Sequence, residues 1–224
     1  MNIKNLIGTG LLASSMITVC TQAAAVQAAV VTSNAGFSVI EDFQGFDGLV
    51  VKAPLALNAG AVVTSTVFST IGAFGVDLMD NGTWGVGNKF AGIGDLSSTP
   101  TTFEGFVGSM TFDFGVARNG VGADFSIFND GSVSGLITIE ALGAGAVTLE
   151  TETFAVDFND PFGTNAALFR GFVRNTADIV GLRVSGDGFV VDNLSAVPVP
   201  AALPLMLGGL AALGARLRRR RAII

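Results

Sequence analysis

The stretch LITIEALGAGAVTLETETFAVDF, residues 136–158, decides the fold, because it holds two short β-type segments and no helical pattern. The first segment is Leu136–Leu142 and the second is Val147–Phe158. Both are rich in Thr, Ile, Val and Phe, the residues that fit a pleated and half-buried surface. Apolar residues that recur at every second position predict strands with one face in a core.

Similar segments lie on both sides of this stretch. The candidate strands are residues 37–43, 61–69, 110–114, 121–128, 167–173, 179–184 and 189–194. Asn-Gly and Asp-Gly pairs, which suit hairpin turns, recur at 47–48, 81–82, 119–120, 130–131 and 187–188. About ten short strands at hairpin spacing, without a convincing amphipathic helix, predict an all-β sandwich or barrel. We expect a jelly-roll-like β-sandwich over residues 29–196.

The charges of the chain are segregated. All 18 acidic residues lie between Glu41 and Asp192, whereas five arginines crowd the last nine residues. The middle domain keeps six basic residues, so its net charge is −12. A surface this acidic repels phosphate backbones, and we therefore expect no binding to nucleic acid.

The middle domain has no imidazole and no thiol. The chain contains no His, and its single Cys, Cys20, lies near the N-terminus. Ser-His-Asp triads, Cys nucleophiles, zinc sites of the usual type and disulfides are thereby excluded. Glu150 and Glu152 share one strand face and are expected to be solvated. Because no catalytic motif is present, we expect the domain not to be an enzyme.

Residues 1–28 have the pattern of a secretory signal peptide. Lys4 gives a positive start, an apolar stretch runs from Leu6 to Val19, and Ala23–Ala25 and Ala28 supply small residues for cleavage. This pattern predicts export through the Sec translocon, with a mature chain that begins near Val26 or Ala29. A retained membrane helix is the alternative.

The C-terminal segment combines three features in order. The first is a Pro-containing motif formed by Val197, Pro198, Val199, Pro200 and Ala201. An apolar run follows at 202–215, about 21 Å long as a helix and thus short for a bilayer core of about 30 Å. The last feature is an Arg cluster at 216–221 made of Arg216, Arg218, Arg219, Arg220 and Arg221. Because translocating these arginines is costly, they would act as a stop signal and leave the domain outside.

This order of motif, apolar helix and arginines resembles the PEP-CTERM class of sorting tails, and in particular its VPLPA-CTERM variant. The chain departs from that variant by Val199 in place of Leu and by a short extension at 222–224. The resemblance implies an exosortase as partner, a Gram-negative source and an inner-membrane intermediate that ends at the cell surface or outside the cell. More loosely, the strands at 40–43 and 188–195 resemble those of jelly-roll domains in PEP-CTERM proteins. A plain membrane anchor is the alternative for the tail.

Two candidate sites follow from the residues of the middle domain. First and last strands of a jelly roll commonly lie close, so Glu41, Asp42 and Asp192 could bind Ca²⁺ as a structural ion. The alternative is that Asp192 caps a strand end while Glu41 and Asp42 are solvated. Trp84, the only Trp, could be a platform for a sugar ring, or otherwise a loop anchor.

The sequence leaves three functions open. The first is an exported, non-catalytic cell-surface or extracellular-matrix protein that is processed by an exosortase and binds exopolysaccharide. The second is a carbohydrate-active enzyme or a carbohydrate-binding module. The third is a purely structural biofilm or adhesion subunit.

Overall fold

The computed structural model describes residues 29–74, 88–96, 104–127, 134–156 and 167–198. Within these ranges the regular structure is β-strand, apart from two short 3-10 turns at Asn58–Gly60 and Ala144–Ala146. None of the described segments forms a helix long and apolar enough to cross a membrane. The predicted signal helix (1–28) and tail helix (202–215) lie outside the described residues.

The described residues form fourteen strands. In chain order they are β1 (Ala29–Val31), β2 (Ser38–Glu41), β3 (Leu49–Val51), β4 (Leu55–Ala56), β5 (Val62–Ser65), β6 (Ser69–Phe74), β7 (Lys89–Ile93), β8 (Val107–Arg118), β9 (Gly120–Ile127), β10 (Leu136–Leu142), β11 (Thr148–Ala155), β12 (Leu168–Val173), β13 (Ile179–Asp187) and β14 (Phe189–Ala196).

These strands build two antiparallel sheets. Sheet A has eight strands in the order β1-β12-β9-β14-β7-β6-β3, and β2 pairs with the end of β14. Sheet B has six strands in the order β11-β10-β13-β8-β5-β4. The prediction of an all-β fold is thus confirmed, and the two sheets are consistent with a β-sandwich.

The core lies between the two sheets and is rich in Phe. One cluster of buried side chains draws on β8, β10 and β13 of sheet B and on β9, β12 and β14 of sheet A. Its fully buried Phe residues are Phe43, Phe112, Phe114, Phe125, Phe172 and Phe189. Burying one such ring contributes about 1.5–3 kcal/mol, so several rings supply much of the stability of a domain that contains no cysteine.

Two of the predicted hairpin turns are instead crossings between sheets. The Asn119-Gly120 pair connects β8 of sheet B to β9 of sheet A, and Asp187-Gly188 connects β13 of sheet B to β14 of sheet A. Gly188 has φ +63°, a left-handed conformation that only Gly adopts readily. The dipeptides thus mark sharp turns as expected, but the two strands that they join belong to different layers.

The predicted strand at 61–69 is divided in the structure. β5 ends at Ser65 in sheet B, and β6 begins at Ser69 in sheet A. Thr66 remains attached to sheet B, because its backbone N–H donates to the carbonyl oxygen of Ser109 at 3.0 Å. One run of alternating residues therefore supplies two short strands in different layers.

Candidate functional site

A β-bulge in β14 places polar side chains on the outer face of sheet A. Val191 and Leu194 belong to the core, whereas the register opposite β9 shifts between Asp192 and Ser195. Asn193 has φ +49°, a left-handed conformation that Asn tolerates better than most residues. The extra residue lets Asp192 and Asn193 both reach polar groups before the strand returns to the core. Bulges of this kind often re-aim side chains at functional sites.

A continuous hydrogen-bond network spreads from this bulge, and we call it the sheet A network: Gln44, Asn88, Asp124, Asp192 and Asn193. Asp192 accepts from Asn88 Nδ2 at its Oδ2 and from the Asn193 backbone N–H at its Oδ1, each at 2.7 Å. Asn193 Nδ2 donates to Asp124 Oδ2 at 2.9 Å. Gln44 Nε2 donates to Asn88 Oδ1 at 2.8 Å. The network therefore joins β9, β14, the residue before β7 and the loop after β2.

Two carboxylates of this network lie directly opposite each other. Asp124 of β9 and Asp192 of β14 are partners in the antiparallel register. Burial raises the pKa of Asp192 to about 6; the hydrogen bonds from Asn88 and Asn193 oppose the rise, and the charges of Asp124 and Asp42 add to it. Burial also raises the pKa of Asp124, against the hydrogen bond from Asn193. Like charges opposite each other in a sheet are destabilising, so the amide donors partly offset this repulsion.

An aromatic pair lies beside the network. Phe169 of β12 is the register partner of Asp124. The rings of Phe37 and Phe169 are in edge contact, with centroids 5.2 Å apart and planes at 66°. A Cβ atom on residue 122, which is Gly122, would lie only 2.6 Å from Phe169 Cζ. The glycine thus makes room for the ring, and Phe37 above it stays partly exposed.

The three predicted calcium ligands have different environments. Glu41 is buried, and its carboxylate accepts from the backbone N–H groups of Phe43 and Asn58, each at 2.7 Å. Asp42 is exposed and accepts from the Gln44 backbone N–H at 3.1 Å. Across the described ranges, no group of three or more acidic side chains is arranged to hold a metal ion. The charge of Asp42 adds to the rise in the pKa of Asp192, whereas Glu41 fixes local backbone. Calcium binding stays a prediction.

The other predicted site residues fall mostly outside the described residues. Trp84, Val199, Pro200, Ala201 and the Arg cluster at 216–221 all do so. Of the sorting motif, Val197 and Pro198 are described: the Val197 backbone N–H donates to the Gly120 carbonyl at 3.0 Å. The motif therefore begins one residue after the end of β14, still attached to sheet A.

The expectation that Glu150 and Glu152 are solvated is wrong. Glu150 accepts from Arg174 Nη1 at 2.5 Å, and Glu152 lies 3.4 Å from Arg170 Nε. Arg174 also binds Asp178, with its Nε 2.8 Å from Oδ1. Arg170 lies in β12 of sheet A and Arg174 directly follows that strand, whereas the glutamates lie on β11 of sheet B. These contacts, which we call the inter-sheet ladder, therefore connect the two layers.

The comparisons with known proteins leave the family open. No protein-family model and no curated protein matches the chain. A search of solved structures finds the "CBM32 of AlyQ in complex with 4,5-unsaturated mannuronic acid", at 17% identity and a TM-score of 0.31. The match covers 61% of this chain and 94% of that one. At this level of similarity it says nothing about what the chain binds.

Proposed function

We propose that this chain is an exported, non-catalytic cell-surface or extracellular-matrix protein whose jelly-roll-like sandwich binds exopolysaccharide. The Sec translocon exports it, an exosortase processes its tail near residues 197–201, and the inner membrane holds it only as an intermediate. Support for the address comes from the leader and from the ordered features of the tail. Binding is inferred from the outer face of sheet A.

The observation that carries the binding proposal is the sheet A network beside Phe37, which stays partly exposed over the buried Phe169. Sugars offer hydroxyl groups along their edges and C–H groups on their ring faces. Asp124, Asn193 and Gln44 supply donors and acceptors for hydroxyls, and Phe37 supplies an apolar surface for a ring face. Sites for small ligands combine apolar walls with a few fixed polar groups in this way.

A carbohydrate-active enzyme is the alternative that the same face invites, because Asp124 and Asp192 form a carboxylate pair. Glycosidases use two carboxyl groups that flank the scissile bond. Asp192, however, is only 2% exposed, and both of its oxygens accept hydrogen bonds from Asn88 and Asn193. This arrangement favours a role for the pair in holding β14 in place over direct attack on a substrate.

Binding can be tested by affinity electrophoresis of the purified chain in gels that contain the exopolysaccharide of the producing strain. Retardation should fall at least tenfold in Phe37→Ala and in Asp124→Asn. Thr111→Ala, on the outer face of sheet B, is the matched control and should keep the parent's retardation. Equal retardation of all variants would refute a site on sheet A, and release of reducing sugar by the parent would refute the non-catalytic assignment.

Sorting needs a separate test in the producing cell. The double variant Pro198→Ala/Pro200→Ala should accumulate in the inner membrane with its tail intact, because the motif would no longer be recognised. Thr138→Ala/Thr153→Ala, two substitutions on the outer face of sheet B, is the control and should be released like the parent. Normal release of the proline variant would show that the motif has no role.

A further inference from the structure

The edges of the two sheets differ sharply in length. β1 and β3 end sheet A with three residues each, and β4 ends sheet B with two. β2, which pairs only with β14, has four residues. The remaining edge strand, β11, has eight residues, and in the described part of the chain it pairs with β10 alone. Short edge strands protect a sheet against pairing with another chain. β11 has a bulge at Leu149, but its regular part, Glu150–Ala155, is still longer than every other edge strand and lacks Pro and Lys.

The charges of β11 are neutralised within its own molecule. Glu150 is paired with Arg174, and Glu152 with Arg170, both through the inter-sheet ladder. Thr151, Thr153 and Ala155 of β11 are exposed and uncharged. The domain as a whole carries a net charge of −12, so most approaches between two copies are repulsive. The β11 edge is an exception, because two such edges can meet without adding an unpaired charge.

We propose that β11 pairs with β11 of a second copy of this chain, in antiparallel orientation, so that the two six-stranded sheets become one continuous sheet. A strand at a sheet edge directs every second set of backbone N–H and C=O groups away from its partner. When two identical edges meet around a two-fold axis, the free N–H groups of each strand donate to the free C=O groups of the other. Such isologous contacts are the commonest in homo-oligomers.

The strand itself restricts the register of this pairing. Residues directly opposite each other must face the same side of the sheet, so the axis passes through a residue and not between two. β11 is regular only from Glu150 to Ala155, because its register opposite β10 shifts at Leu149. The two registers that pair most of this segment are centred on Glu152 and on Thr153. The first places Thr151 opposite Thr153, and the second places Thr153 opposite its own copy. Both bring uncharged hydroxyl side chains together on the outer face.

A disulfide trap tests the proposal directly. In a Cys20→Ser background the chain has no other thiol, so Thr151→Cys/Thr153→Cys covers both registers. The purified full chain should form a covalent dimer under mild oxidation, because paired strands bring Cα atoms within the roughly 5.5 Å that a disulfide needs. Val39→Cys/Val116→Cys, at two positions that are each 55% exposed, is the control and should stay monomeric. A trap variant that gives no more dimer than this control would overturn the proposal.

Association without a cross-link gives the second measurement. Thr151→Lys/Thr153→Lys sets like charges opposite each other and should raise the dimer dissociation constant at least tenfold in light scattering. Val39→Lys/Val116→Lys adds the same charge elsewhere and should leave it unchanged. A parent chain that is monomeric, or a dimer that both lysine variants keep, would overturn the proposal. Thr151→Lys/Thr153→Lys should keep the parent's retardation in exopolysaccharide gels, because these positions lie on sheet B whereas Phe37 and Asp124 lie at sheet A, so failure of pairing is distinct from failure of binding.

Discussion

Asp192→Asn should remove a pH-dependent part of the stability of this domain. The pKa of Asp192 rises from its ordinary 3.8 to about 6 in the folded state. A difference of about two units between folded and unfolded states corresponds to about 3 kcal/mol. Because the folded state holds the proton more tightly, this contribution is complete below about pH 4. It is lost as the pH rises through about 6.

The measurement is urea unfolding followed by circular dichroism between about pH 4 and about pH 7. The free energy of unfolding of the parent, minus that of Asp192→Asn, should fall by up to about 3 kcal/mol across this range. Taking the difference between the two proteins removes the pH dependence that the other carboxylates contribute, because these groups titrate in both. Asp124→Asn is the comparison for the opposite strand, where burial also raises the pKa. If the curves of parent and Asp192→Asn run parallel, Asp192 titrates like an ordinary surface acid and the reasoning fails.

Three further predictions concern the ladder, the strand packing and calcium. Arg174→Ala should lower the free energy of unfolding by about 1–3 kcal/mol in urea titrations, because it removes charge-assisted hydrogen bonds to the partly exposed Glu150 and Asp178. Lys52→Ala, which breaks an exposed pair with Glu104, should cost at most about 1 kcal/mol. Gly171→Ala should destabilise by about 1–3 kcal/mol, since its Cβ would lie 2.5 Å from the Val121 carbonyl oxygen, and an unchanged melting temperature would contradict this. Ca²⁺ should raise the melting temperature by several degrees relative to EDTA, and by more than Mg²⁺ does. Asp192→Ala should lose most of this rise. Equal melting curves with Ca²⁺ and EDTA would mean that Asp42 and Asp192 bind no ion.

The fold class was predictable because alternation is a local property of the sequence. Leu136–Leu142 was predicted with the bounds that the structure has, since Ile137, Ile139 and Ala141 all face the core. Strands of two or three residues, such as β1 and β4, were not predicted, because an alternation of apolar and polar residues cannot be recognised over so few positions. Their pairing depends on neighbours far away in the chain.

The site was predictable only in part. Asp192 stood out because it lies in the last predicted strand, but its partners Asn88 and Asp124 could not be identified without the register of β7, β9 and β14. A bulge shifts that register by one residue, and the sequence around Asn193 contains no signal that predicts a bulge. Glu150 and Glu152 were misread for a related reason: their counter-ions come from the opposite sheet.

The position of β14 has a consequence for the order of events in the life of the chain. It is the last strand described, yet it lies in the interior of sheet A, between β9 and β7. Until β14 emerges from the ribosome, the earlier strands of sheet A lack the strand that joins them. The contacts that build this sheet are mostly between residues distant in sequence. Such topologies form slowly. Sheet A would therefore stay incomplete until synthesis reaches β14, and this delay would favour the export proposed above, because a narrow translocation channel requires an unfolded chain.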